Sequence, residues 1–192
     1  MTADVIHEKR ALRAELRERR RITASRERAA AGEAITANLI RLATDLGSRS
    51  ISAYLSTIDE PGTREFLDWA CRNGIRVLLP VSRADGLLDW APYDGEDEQV
   101  DDFGMPAPTT GLLGPIAING VDLIVVPAAS VDRTGMRMGW GRGYFDKTLG
   151  SMEHCPPVYA VIFDRELVAS LPSERHDQRV TGVITEAGIV TF

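Results

Sequence analysis

The sequence predicts an α/β fold: a single three-layer domain in which helices cover both faces of a mostly parallel sheet. Three observations carry that prediction. Short β-branched runs at 51–55, 75–80, 121–127 and 158–162 alternate with stretches of helical period. The run Val121-Asp122-Leu123-Ile124-Val125-Val126-Pro127 is almost continuously apolar, as expected of a strand buried on both faces of a parallel sheet. At 192 residues, with 44% hydrophobic and 26% charged residues, the chain suits one globular domain over 1–192, with no repeat and no dividing linker.

Residues 4–21 favour an N-terminal helix with a thin apolar stripe at Leu12 and Leu16. Thr23 or Ser25 is placed to cap a second helix, whose Ile35, Leu39, Leu42 and Leu46 share a face and which Gly47 ends. After the strand at 51–55 comes a loop at 56–62, then a helix from a Thr63 cap through Ala70 that Gly74 stops. Strands at 75–80 and 87–93 follow. Between 94 and 120 an acidic run gives way to Phe103-Gly104-Met105-Pro106-Ala107-Pro108, which is neither regular helix nor central strand. The strand at 121–127 leads to a glycine-rich segment and a short helix at 144–149. Strands at 158–162 and 183–185 complete the set.

No apolar run approaches the roughly 20 residues of a membrane span, and the basic N-terminus has no apolar core of a secretory signal. Cys71 and Cys155 form no metal-binding spacing, so a reduced, cytoplasmic setting is expected. Net charge is −6, yet residues 1–30 carry nine Lys/Arg against five Asp/Glu. Such a stretch is either a solvated helix face or a surface for phosphate or a nucleic-acid backbone.

The chemistry concentrates in Arg137-Met138-Gly139-Trp140-Gly141-Arg142-Gly143-Tyr144-Phe145-Asp146. Alternating glycines allow backbone conformations that a Cβ forbids and let an anion approach the N–H groups. The helix that follows turns its unsatisfied N-terminal donors toward the same place, and Arg137, Arg142 and Lys147 add charge. Neither a Walker A loop nor the G-x-G-x-x-G dinucleotide pattern is present, since Tyr144 stands where the third glycine would be. Asp146 is either a helix N-terminal charge or a ligand of a cation set between it and bound phosphate, with Asp177 as a candidate second carboxylate for Mg²⁺. His7, His154 and His176 show no metal-ligand spacing and read as structural or surface residues.

With this motif at its centre, the stretch 126–149 resembles the 5-formyltetrahydrofolate cyclo-ligases, or methenyltetrahydrofolate synthetases. Lys9-Arg10-Ala11-Leu12-Arg13, residues 55–63, and Asp177-Gln178-Arg179-Val180 before Val183-Ile184-Thr185 resemble further segments of that family in order. The resemblance implies an α/β/α sandwich of Rossmann-like character with an N-terminal helical pair. It implies ATP-dependent closure of 5-formyltetrahydrofolate to 5,10-methenyltetrahydrofolate, with Mg²⁺, ATP and the folate as ligands and a monomer acting without nucleic acid or membrane. Lys9, Arg10, Arg13 and the run Arg137, Met138, Gly139, Trp140, Gly141, Arg142, Gly143, Tyr144, Phe145 are implied to contact ATP. Lys9, Arg137 and Arg142 are the implied catalytic cations, and Asp146 and Asp177 the metal ligands. Leu55, Glu60, Phe103, Met105, Trp140 and Tyr144 are implied to line the folate site. Two positions depart from the family pattern: Ala107 replaces a carboxylate, and Phe145 replaces the second tyrosine of a pair. Phosphoryl transfer needs positioning and charge neutralisation more than covalent help, so cations, backbone donors and a metal suffice. A folate-binding protein with slow turnover and a nucleic-acid arm built on the N-terminal helix are the alternatives.

Overall fold

Two long helices begin the chain, α1 (Thr2–Ile22) and α2 (Ser25–Asp45). In the computed structural model, which describes residues 2–95, 98–101, 104–109 and 111–192, Phe103 lies outside the described residues. The inward stripe of α1 runs Lys9, Leu12, Arg13, Leu16, Arg20, the three-and-four spacing of a helix face, but it alternates cations with leucines. Helix α2 instead buries Ala31, Ile35, Leu39, Leu42 and Ala43 and ends at Gly47, whose φ of 60° suits glycine. The predicted threonine and serine cap is not formed. Ala24 is the N-cap, and the Thr23 hydroxyl donates to Arg19 O at 2.9 Å because the turn of α1 above it supplies a nearer acceptor.

The remaining elements are β1 (Ser50–Ser52), α3 (Arg64–Arg72), β2 (Arg76–Ser82), β3 (Leu88–Pro92), β4 (Glu98–Val100), β5 (Pro106–Pro108), β6 (Leu123–Pro127), β7 (Ser130–Asp132), β8 (Arg137–Met138), α4 (Tyr144–Ser151), β9 (Val158–Val161), β10 (Leu167–Val168), β11 (Gly182–Thr185) and β12 (Gly188–Thr191). Among the described residues the main sheet orders β12-β11-β9-β6-β1-β2-β3. Its five inner strands are parallel, and both edges, β12 and β3, are antiparallel. Alternation along each strand divides the core in two. Leu123 and Val125 face α2 and α3, whereas Ile124 and Val126 face α4 and the 3-10 turn Pro115–Gly120. That is the expected three-layer sandwich.

Several elements differ from the sequence reading. Thr63 ends up as the N-cap of α3, but its hydroxyl donates to Tyr54 O at 2.6 Å instead of capping the helix. Strand β1 stops at Ser52, since residues 53–63 leave the sheet to form a wall of the site. Strand β12, which the sequence left unread, pairs with β11 across a turn at Gly188. The proline stretch forms only a two-stranded ribbon, β4 with β5, where Pro106 and Pro108 need donate nothing to a central sheet.

Candidate active site

The sheet order reverses between β1 and β6: the chain moves from β1 outward to β2 and β3, then returns to β6 on the other side. Segments leaving the carboxyl ends of two such strands diverge and open a crevice. A cavity of about 950 Å³ occupies it. Its walls are the 54–60 loop after β1, the 137–146 bend after β6 and β7, the inward face of α1, and the 174–177 loop. The elements that bring these segments together are distant in sequence, so the site is a tertiary product.

The glycine bend is built from an aspartate hub. Asp132 Oδ1 accepts Thr134 N at 2.8 Å, Thr134 Oγ1 at 2.7 Å and Met136 N at 3.1 Å, while Oδ2 accepts Leu171 N at 3.1 Å. Burial raises the proton affinity of this carboxyl, but these donors outweigh it and hold Asp132 below the ordinary aspartate range. The turn closes at Gly135, with φ 81°, and β8 then points Arg137 inward at 4% exposure. Arg137 Nη2 donates to Asp146 Oδ1 at 2.7 Å, and Nη1 reaches Pro127 O at 3.4 Å. Gly141 (φ 103°) and Gly143 (φ 71°) do use left-handed conformations. Gly139 does not. It is glycine because Arg137 Nη1 fills the space a Cβ would take.

Asp146 and Asp177, from α4 and from the loop before β11, reach one region, where Gln178 N donates to Asp146 Oδ1 at 3.2 Å. Asp177 Oδ2 accepts Lys9 Nζ at 2.6 Å and Glu174 N at 2.7 Å, and the Lys9 ammonium also meets Glu174 Oε2 at 2.9 Å. Lys9 is 4% exposed and both of its partners are carboxylates, which fixes the first turns of α1 over the cavity. Arg13 Nε donates to Gly139 O at 2.7 Å, tying α1 to the bend itself. Arg10 departs from this pattern: it is exposed and does not line the cavity, being one residue round the helix from Lys9. Lys147 likewise turns away toward Gly86. Arg142 is exposed at the tip of the bend and lines the opening.

On the opposite wall Glu60 Oε2 accepts Thr57 N at 2.9 Å and Thr57 Oγ1 at 3.1 Å, which orients the carboxylate from within its own loop. Leu55, Met105, Met138, Trp140, Tyr144 and Phe145 line the same cavity, Met138 being buried and Phe145 packed partly into the core. Tyr144 Oη donates to Arg83 O at 3.3 Å. Ala107, in place of the family's carboxylate, is fully buried in β5.

Sequence reasoning missed several wall residues. Glu174 and His176 join the predicted Asp177, each bringing one ligand atom to within 4.8 Å of the others; His176 is the exposed surface residue expected, and it also edges the cavity. Arg20 and Tyr54 are buried cavity residues. Burial first, then the charge of Glu60, raises the Tyr54 hydroxyl well above its ordinary range, so it stays a donor. Their only sequence signal was period: Arg20 continues the stripe of Lys9, Arg13 and Leu16. The stripe also bears on a nucleic-acid arm, since Lys9 and Arg20 face inward and the exposed Arg19 and Arg21 pair with Glu15 and Glu18.

No described helix is long and apolar enough to cross a membrane. Comparison with known proteins gives the family. A family model described as the 5-formyltetrahydrofolate cyclo-ligase family matches residues 5–186. The 5-formyltetrahydrofolate cyclo-ligase of Mycolicibacterium smegmatis is 37% identical over 153 residues, covering 77% of this chain and 79% of that one. That of Escherichia coli is 26% identical, covering 91% and 98%. Among solved structures, the 5,10-methenyltetrahydrofolate synthetase of Aquifex aeolicus superposes with a TM-score of 0.79 at 22% identity, covering 95% of this chain and 92% of that one. The synthetase of Mycoplasma pneumoniae gives 0.75 at 18%, covering 93% and 99%, and both confirm the fold. Because a model of the family spans nearly the whole chain, the glycine bend and the loop after β1 included, the chain belongs to the 5-formyltetrahydrofolate cyclo-ligase family, a family of ATP-dependent ligases.

Proposed function

We propose that residues 1–192 act as one domain that closes 5-formyltetrahydrofolate to 5,10-methenyltetrahydrofolate in the cavity between β1 and β6, with ATP converted to ADP and phosphate. The observation that carries this reading is that a single cavity joins two chemically different walls. One is cationic and rich in backbone donors (Arg13, Arg137, Arg142, 139–143); the other is apolar with one oriented acid (Leu55, Met105, Glu60). A triphosphate and a pterin need those two walls, and the reaction needs them adjacent.

The chemistry follows from the difficulty of the uncatalysed step. Attack by N10 on the N5-formyl carbon stalls because oxide cannot leave. Transfer of the γ-phosphoryl group makes the formyl oxygen a phosphate ester: an O–P bond forms to the formyl oxygen and the P–O bond to ADP breaks. N10 then attacks the activated carbon and closes the ring, the C–O bond breaks as phosphate departs, and the N10 proton leaves with the phosphate. The N–H groups of the 139–143 bend receive phosphate oxygens, and Arg137, held by Asp146 and Pro127 O, is preorganised for the charge that spreads in transfer. Lys9, Arg13 and Arg142 add charge from α1 and the bend tip. Thr57 holds one Glu60 oxygen, which leaves Oε1 for pterin N–H groups, while Leu55, Met105 and Tyr144 flank the ring.

Mg²⁺ fits the donor set, since hard cations take carboxylate oxygens. Asp146 and Asp177 each engage one oxygen with protein donors, and the second oxygen of each would serve the metal, with Glu174 beside Asp177. Bound there, the ion would neutralise phosphate charge. The test is ATP-dependent appearance of methenyltetrahydrofolate, followed by its absorbance with Mg²⁺ present. A protein that binds the folate but produces no signal with ATP refutes the assignment.

A further inference from the structure

The back of the glycine bend holds a polar cluster that stability does not explain. Arg20 is 1% exposed, yet it comes from the helix whose other arginines meet solvent or the cavity. Its Nε and Nη2 meet the two oxygens of Glu166 at 2.8 and 2.7 Å, and Nη2 also donates to Ala128 O at 2.8 Å. Glu166 is fixed in turn, accepting Phe163 N at 3.0 Å. The guanidinium carbon lies 4.8 Å from the centre of the Trp140 ring and 5.5 Å from that of Phe163. A buried ion pair can usually be exchanged for packed apolar groups without loss of stability. A buried donor with no acceptor is destabilising outright. Here Arg20 Nη1, Trp140 Nε1 and Tyr54 Oη lack partners among the described residues, and all three side chains line the cavity. A cluster so arranged beside a ligand cavity is better explained by what it orients.

Trp140 stands between Gly139 and Gly141, neither of which has a side chain to brace it, and its own N–H meets no acceptor among the described residues. The indole packs on the apolar cluster of Leu16, Ala129 and Met138, and its face is set by Arg20, with exposed Arg17 at 5.2 Å as a second cation. We propose that Arg20 is a positioning residue: clamped by Glu166 and Ala128 O, it sets the orientation of the Trp140 indole and thereby the conformation in which the glycine bend receives the nucleotide. Arg20 touches no reacting atom. Its effect passes through Trp140. Lysine could keep the charge beside Glu166 but not the flat stacked face and two-pronged grip, so the chemistry of guanidinium is what the site uses.

This inference rests on the cyclo-ligase reading, and the experiment separates the two. Arg20→Leu with Glu166→Leu removes the pair without stranding a charge; Arg20→Lys preserves folding if the double change does not. Either is expected to raise KM for ATP up to about thirtyfold, what one desolvated cation–π contact is worth, and KM for the folate by less, since Trp140 stands between the two ligands. In a Trp140→Leu background the same changes should add nothing further. Acrylamide quenching of Trp140 fluorescence, taken as the difference from a Trp140→Phe protein, should increase in Arg20→Lys whether or not the enzyme turns over. A normal ATP KM in Arg20→Lys, an undiminished loss in the Trp140→Leu background, or unchanged quenching each overturns the proposal. A wild-type protein that makes no methenyltetrahydrofolate sinks the catalytic reading instead, and the quenching result still decides the role of Arg20.

Discussion

Replacing Gly139 by alanine puts a methyl group where the Arg137 side chain already stands. The new Cβ would lie 2.7 Å from Arg137 Nη1, with Cζ at 3.6 Å and Nη2 at 3.8 Å. Ordinary contact begins near 3.4 Å, so Nη1 must retreat by about 0.7 Å. The backbone has no reason to resist, because Gly139 lacks the positive φ of Gly141 and Gly143. The whole perturbation therefore falls on a buried guanidinium anchored by Asp146 at 2.7 Å. Losing the alignment of one charged hydrogen bond is worth about 1.5–3 kcal/mol, or roughly 10- to 150-fold in kcat/KM for ATP if Arg137 stabilises the transferring phosphoryl group. The melting temperature should move little, since the fold keeps its core. Initial rates at varied ATP, with a thermal melt in parallel, measure both quantities. The Arg137→Ala, Gly139→Ala double variant supplies the control: if the methyl acts only through Arg137, the double is no worse than Arg137→Ala alone. A Gly139→Ala enzyme with near-normal kcat/KM, or one whose defect simply adds to that of Arg137→Ala, refutes the placement of Arg137 at the phosphates.

Further outcomes follow from the same geometry. Arg137→Ala and Asp146→Ala should each reduce turnover far more than folate affinity; equal losses in kcat and in folate binding, measured by rates and by ligand titration, would contradict the division of the cavity into two walls. Gly135→Ala forces a non-glycine residue to φ 81° and sets its Cβ 2.7 Å from Val180 O, so denaturant unfolding should register a loss of at least about 2 kcal/mol. Glu166→Ala leaves Arg20 buried without its partner and should destabilise by about 3–5 kcal/mol, more than the paired leucine replacement does. The folded-state pKa of Asp132 lies below its ordinary 3.8, so its contribution to stability is fully present above that value and disappears as pH falls through the depressed one. The stability difference between wild type and Asp132→Asn should accordingly be constant near neutral pH and shrink in acid; a gap that widens on acidification would reverse the sign.

The elements that could be read from the chain were those whose local signal agreed with their burial. Residues 121–127 looked like a strand covered on both sides, and Leu123 through Val126 are fully buried in the middle of the sheet. The glycine bend was legible because so many glycines and arginines after an apolar strand have few other physical uses. The edge strand β12 was not, since Ile189 and Val190 are only partly covered and give little alternation. Caps at Thr23 and Thr63 were misread for a related reason: a hydroxyl takes the nearest acceptor, which is Arg19 O in the preceding turn of α1 for Thr23 and Tyr54 O across the loop after β1 for Thr63.

By itself the sequence determined the layer architecture, the glycine-rich bend and the family, because periodicity, glycine placement and motif order are properties of short segments. Only the tertiary structure decided which charges matter. It turned Lys9, Arg13 and Arg20 inward and left Arg10 outside, brought Asp146 beside Asp177, and gave Gly139 its reason in the side chain of Arg137. A charge reports its role through what it faces, and what it faces is set by strands and loops far along the chain that meet only when the sheet order reverses between β1 and β6.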